Sequence, residues 1–176
     1  MFDLHVNVVL LMTVNLANAT AAQRDDREFV LSAIKSSGIA IQFASPARRA
    51  DFEIVMAAVK KNGRALQFVS ESLRADRRVV LAAISKWAIA LEFAAPHLRD
   101  DREVVLKAVK KWGIALKHAS PRLQADREVV MAAVNRNSAA LKYASKQLSA
   151  EFEVNTPVGR QLGTGAATVK KTKGKG

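Results

Sequence analysis

An all-α array of stacked helical repeats is the fold class this sequence predicts, and three observations predict it. Aspartate recurs every 25 residues without a slip, at Asp26, Asp51, Asp76, Asp101 and Asp126. Between these marks the apolar residues keep one helical spacing, and each copy carries helix-stop and helix-start residues in the same order. A strict period of this size marks one supersecondary unit stacked on its own copies, each packing chiefly on its neighbours. The clearest copy is DREVVLKAVKKWGIALKHASPRLQA, from Asp101 to Ala125.

The first element of the unit is a helix. Counting the aspartate as position 1, positions 4, 5, 6 and 9 are apolar in all five copies (Val104, Val105, Leu106 and Val109 in the fourth). Position 8 is always alanine: Ala33, Ala58, Ala83, Ala108 and Ala133. This spacing predicts one broad buried face. The aspartate suits an N-cap, because its carboxylate can accept from free amides of the first turn. Glu28, Glu53, Glu103 and Glu128 place negative charge at the positive end of the helix dipole, and Lys60, Lys61, Lys110 and Lys111 place positive charge at the other end. Gly38, Gly63 and Gly113 are then expected to supply the left-handed residue just past the helix end. Ala88 and Ser138 replace them in the third and fifth copies.

A second, shorter helix follows with the pattern A-L-x-aromatic-A. Alanine stands at position 15 of every copy (Ala40, Ala65, Ala90, Ala115, Ala140), so two helix axes can approach closely at positions 8 and 15. The aromatic site, position 18, holds Phe43, Phe68, Phe93, His118 and Tyr143. An aromatic recurring at fixed spacing is expected in the core. Ser45-Pro46, Ser120-Pro121 and Ala95-Pro96 then start a further short turn, with serine as cap and proline at the first helical position. Leu73, Leu98, Leu123 and Leu148 anchor that turn, and Arg48 stands there in the first copy. A lone unit buries too little to offset backbone ordering of ~1–2 kcal/mol per residue, so stacking is obligatory. With layers ~8–10 Å apart, five units make a rod or arc on the order of 40–50 Å long.

Three segments result. Residues 1–24 read as a degenerate capping repeat, because Val14, Leu16, Ala19 and Thr20 fall one period before Ile39, Ile41, Ala44 and Ser45, and its helix is expected from about Leu4 to Met12. A cleaved leader is the other reading of this stretch, although it begins with Asp3 and has no Lys or Arg before Arg24. The apolar run is too short and too interrupted by Asn7, Thr13 and Asn15 to span a bilayer, so any membrane contact is peripheral. Residues 25–154 are the five-repeat array. Residues 155–176, rich in Gly, Thr and Lys, read as a basic flexible tail whose composition cannot build a core.

The chain of 176 residues carries 28 Lys and Arg against 16 Asp and Glu, a net charge of +12. Such a surface attracts nucleic acid, acidic lipid or an acidic protein. Cysteine is absent, which excludes disulfides, thiol catalysis and cysteine-ligated metals. The histidines His5, His97 and His118 occupy unrelated repeat positions, and no phosphate-cradling glycine loop occurs. Neither a cofactor nor a metal site is expected, and the chain reads as a non-enzyme with an intracellular or organellar setting favoured over secretion.

Two sets of residues are candidates for recognition. Trp87 and Trp112 share position 12 on adjacent units, beside Lys86 and Lys111, and are expected to form an exposed aromatic pair for a protein partner. Arg27, Arg77, Arg102 and Arg127 share position 2, with Phe52 as the exception, and lie along one edge. Together with Lys170, Lys171, Lys173 and Lys175 of the tail they are candidates for phosphate contacts, although pairing with nearby glutamates explains the ladder equally. The expected function is a protein-binding scaffold, an accessory subunit of a larger assembly; the alternative is an RNA- or DNA-associated protein, for instance on the ribosome.

The signature D-R-E-V-V-L-x-A-V-K-K-x-G-x-A-L-x-x-A-S resembles an uncharacterised helical-repeat family, a domain of unknown function. The resemblance covers about Asp25 to Ala150 and departs at Arg48, Phe52, Arg78, Ala88 and Ser138. It implies an all-helical repeat fold and brings no activity and no functional residues.

Overall fold

The computed structural model describes residues 15–155, and among the described residues every regular element is helical. Each unit opens with a ten-residue α-helix: Arg27–Ser36, Phe52–Lys61, Arg77–Lys86, Arg102–Lys111 and Arg127–Arg136. The repeating aspartates cap them. Asp101 accepts from the amides of Glu103 and Val104 at 2.9 and 3.1 Å, and Asp126 from those of Glu128 and Val129 at 3.0 and 3.1 Å.

The second element is a six-residue 3-10 helix rather than an α-helix: Gly38–Phe43, Gly63–Phe68, Ala88–Phe93, Gly113–His118 and Ser138–Tyr143. The i→i+3 bond that begins it runs from the position-15 amide to the position-12 carbonyl, at 2.9 Å for Ala65 to Asn62 and for Ala115 to Trp112. A 3-10 helix rises ~2 Å per residue against ~1.5 Å for an α-helix. Six residues therefore run nearly the length of the ten-residue helix they pack against. A four-residue helix completes each of the first four units: Pro46–Arg49, Glu71–Arg74, Pro96–Arg99 and Pro121–Gln124.

Consecutive long helices lie side by side, and consecutive 3-10 helices form a second layer. The core runs between the layers through positions 4, 5, 8, 9, 15, 16 and 19, with Leu98, Leu123 and Leu148 closing it. A backbone seam joins the units. The position-20 amide of each unit donates to the position-24 carbonyl of the unit before it: Ser45 to Arg24, Ser70 to Arg49, Ala95 to Arg74, Ser120 to Arg99 and Ser145 to Gln124, at 2.8–3.0 Å.

Three expectations are corrected. Gly38, Gly63 and Gly113 do not take a left-handed backbone; the long helix instead ends on an extended position-12 residue, such as Asn62 at φ −147° and ψ 114°. Glycine is needed for space, because a Cβ there would collide with the position-8 carbonyl oxygen of the next unit's long helix, Ala58, Ala83 or Ala133. Position 6 is only half-buried, since it points about 100° around the helix from position 5. The position-18 aromatics lie at the rim of the core rather than inside it: Phe43 is exposed, the other four are half-buried, and Phe68, Phe93 and Tyr143 pack against the core.

At the two ends the units are incomplete. Leu16–Asn18 and Ala21–Asp25 repeat the second half of a unit, with Leu16 buried and Thr20 in a reciprocal capping box with Gln23. The helix expected from Leu4 to Met12 lies outside the described residues. At the other end one helix, Lys146–Asn155, continues through the place where a sixth capping aspartate would stand. Glu151 occupies that place, and glutamate lacks the short reach of a cap.

Candidate functional site

Cation-rich rows are what this fold displays, because any side chain at a repeat position recurs once per layer. The position-2 row is neutralised. Arg77 reaches Asp101 at 3.1 Å and Glu103 at 2.5 Å in the next unit; Arg102 reaches Asp126 at 3.1 Å and also Glu128. Arg27 contacts Asp51 at 3.8 Å as well as Glu53, and Arg127 bonds Glu151 at 3.0 Å. Arg27, Arg77 and Arg102 thus tie their units to the capping aspartate and first-turn glutamate of the following one, and Arg127 ties the last unit to Glu151 of the closing helix. Single exposed pairs of this kind contribute ~0.2–1 kcal/mol, but every one is directed across a joint between units.

The Phe52 exception has a matching exception. Arg78 stands where other units carry a glutamate, and its guanidinium lies 4.4 Å from the centre of the Phe52 ring. A cation–π contact replaces the ion pair, and the two departures from the repeat are the two ends of one contact.

The tryptophans do not pair with each other. Trp87 stacks on Phe93 of its own unit at 6.3 Å and lies under Arg64 of the preceding unit at 5.2 Å. At Trp112 the corresponding neighbours are His118 and Ile89, and its side chain stands 40% exposed. Lys111 donates from Nζ to the Ser85 carbonyl at 2.5 Å, whereas Lys86 projects into solvent. Lys170, Lys171, Lys173 and Lys175 lie outside the described residues.

A second arginine row emerges only in three dimensions. Position 24 holds Arg24, Arg49, Arg74 and Arg99, and then Gln124. All four arginines are half-buried, and the Nε of each is buried without a hydrogen-bond partner. No described carboxylate lies in ion-pair contact with any of them; Arg24 alone donates, from Nη2 to the Ala17 carbonyl at 2.9 Å. Gln124 is satisfied, giving its amide to the carbonyls of Leu116, Lys117 and Ala119 at 3.1–3.2 Å. An unmet buried donor costs ~1–3 kcal/mol. Position-2 arginines have acids 24 and 26 residues ahead that meet them, while the acid that recurs two residues after each position-24 arginine (Asp26, Asp51, Asp76, Asp101) caps its own helix instead.

Local electrostatics follow these partners. For Asp101 and Asp126 burial pushes the carboxyl up, but the amides of Val104 and Val129 and the guanidinium groups of Arg77 and Arg102 outweigh it, and both end below the usual 3.8. Asp76 is held low chiefly by Arg78, and Asp100 by Ser120 and Arg122. His118 is pushed below 6.5, first by burial and then by Lys117 and Arg99, with Glu92 opposing. Among the described residues no three His, Asp or Glu side chains gather where a metal ion could be held, and no helix is long and apolar enough to cross a membrane.

Fold and surface together define an α-helical repeat protein. The chain belongs to the family of the domain of unknown function DUF4116, which matches residues 51–99 and 101–149. Each match spans two of the 25-residue units. No curated protein and no solved structure matches the chain.

Proposed function

We propose that this protein is a non-enzymatic helical-repeat scaffold that holds a protein partner, as an accessory subunit of a larger assembly. The observation that supports it most is the position-6 row. Leu31, Met56, Leu81, Leu106 and Met131 repeat once per unit on the outer side of the long helices, where the fold leaves them half-buried and Met131 42% exposed. Between the first two long helices the row borders a groove of about 430 Å³, floored by Leu31, Ile34 and Ala57 and rimmed by Lys35, Lys60 and Lys61 against the single acid Glu28. A partner segment with apolar residues in a row and acids beside them complements this face. Trp112 caps the lysine-rich end of its long helix and is exposed there.

The test is a native pull-down at low and high salt, with and without nuclease, comparing the unmodified chain with Leu81→Glu and Trp112→Ala. A protein retained through high salt and nuclease, and lost with Leu81→Glu, fits the scaffold. Retention unchanged in both variants removes the long-helix face from the interface.

A further inference from the structure

The position-24 row points away from a purely structural role. Its backbone is pinned unit by unit, because each position-24 carbonyl accepts from the next unit's position-20 amide. Its charge is unspent, in contrast to the position-2 row, where every arginine meets an acid of the following unit. The acids next to it in sequence, Asp25 and Asp100, are engaged elsewhere: Asp25 by Ser45 and Arg48, Asp100 by Ser120 and Arg122. Where the array gives up the charge, at Gln124, the side chain finds three carbonyl partners, so arginine is not what the fold needs at this position.

The row is also accompanied by rings. Arg24 and Arg49 line a groove of about 530 Å³ together with Gln42, Phe43, Ser45 and Pro46. At the other end of the row Arg99 bears electrostatically on His118, the aromatic-site residue of its neighbour. One guanidinium without an acidic partner and one partly exposed ring therefore recur in each of four successive layers. Two acids belong to this track: Glu92, which acts on His118 against Lys117, and Glu71, which holds the repeat position of the groove-lining Pro46 on the short helix of Arg74.

We propose that this groove binds single-stranded nucleic acid, with Arg24, Arg49, Arg74 and Arg99 on phosphates and Phe43, Phe68, Phe93 and His118 against bases. The ligand must repeat a negative group and a planar ring along an extended chain, and a single strand offers both in every nucleotide. An acidic peptide supplies the charge without the ring, and a lipid headgroup does not repeat. This track is separate from the long-helix face, so the two proposals stand or fall separately.

The experiment is fluorescence anisotropy of a labelled 20-nucleotide oligo(dT) with the full chain across a salt series. Arg49→Gln/Arg74→Gln is compared with Arg77→Gln/Arg102→Gln, which removes the same charge from the neutralised row. Glutamine is the residue the fifth unit already carries at position 24, and melting curves confirm that both variants fold. The expected result is at least a tenfold loss for the first pair with the salt slope reduced by roughly 1.4, the share of two phosphates on a single strand, and under threefold loss for the second. Phe68→Ala weakens binding with the slope unchanged. Equal losses in both double variants, competition by polyglutamate as effective as by unlabelled oligo(dT), or no binding at 50 mM salt overturns the proposal.

Discussion

At position 13 two joints in this array differ by one methyl group. Where the second unit meets the third, Gly63 lets the long helix Arg77–Lys86 come within backbone contact at Ala83 and Trp87. Where the third meets the fourth, the same register sets Ala88 opposite the helix Arg102–Lys111, and the two long helices there stay close over a shorter stretch than any other adjacent pair. The added Cβ has nowhere to go, since the atom it faces in the glycine joints is a carbonyl oxygen rather than a flexible side chain. Spacing between layers is thus set by a single backbone contact, and the helices accommodate a methyl group by yielding locally.

The comparison can be broken first by emptying the core on each side. Leu66 and Leu91 are equivalent and both fully buried. Leu66→Ala is expected to cost about 2–5 kcal/mol, and Leu91→Ala less, because a looser joint collapses better around the cavity; urea denaturation measures both. Equal costs mean the two joints are packed alike. Next in size, Gly63→Ala is expected to cost about 1–3 kcal/mol by overpacking. The reverse change, Ala88→Gly, trades better packing against about 0.5–1 kcal/mol of backbone entropy. It should leave stability nearly unchanged while slowing hydrogen exchange at the end of Arg102–Lys111.

Acid loosens the joints through their charged caps. Asp101 and Asp126 titrate below 3.8, so their stabilisation is full above that value and is lost as pH falls through the lower folded-state range. His118, held below 6.5, resists its proton and withdraws stability as pH falls from 6.5 toward its own folded value. Melting temperature should therefore decline in two stages on acidification. His118→Phe, which restores the residue found in three other units, removes the upper stage and leaves the lower one. The smallest effect tests the matched exceptions: Phe52→Arg combined with Arg78→Glu should recreate the ion pair of the other joints. The double variant should be more stable than the sum of the single changes by about 0.2–1 kcal/mol in a double-mutant cycle.

The features legible in the sequence are those that one residue type decides. Asp101 reads as a cap because little else fits there, and Val104, Val105, Ala108 and Val109 read as core because their spacing admits one buried face. The 3-10 helix was not legible, since six residues carrying A-L-x-aromatic suit either helix type and the choice is made by packing against the long helix. Phe68 and Phe93 reach only the rim of the core, because burial of an aromatic depends on the layer above it, which periodicity does not reveal. The candidate surface was half legible. The position-2 arginines carried their acids at offsets of 24 and 26 residues, whereas the position-24 arginines became distinct only once their lack of partners could be seen.

The amide-to-carbonyl seam has an evolutionary consequence. Because each link joins position 20 of one unit to position 24 of the one before through backbone atoms alone, it is indifferent to which side chains the neighbours carry. A duplication or deletion of 25 residues leaves every remaining link intact, and an insertion of any other length disturbs only the link that spans it, because later links keep their own 21-residue separation. A chain built this way can gain or lose whole layers in single events, and each layer can carry its own exposed residues, as Arg64 and Ile89 do at one repeat position.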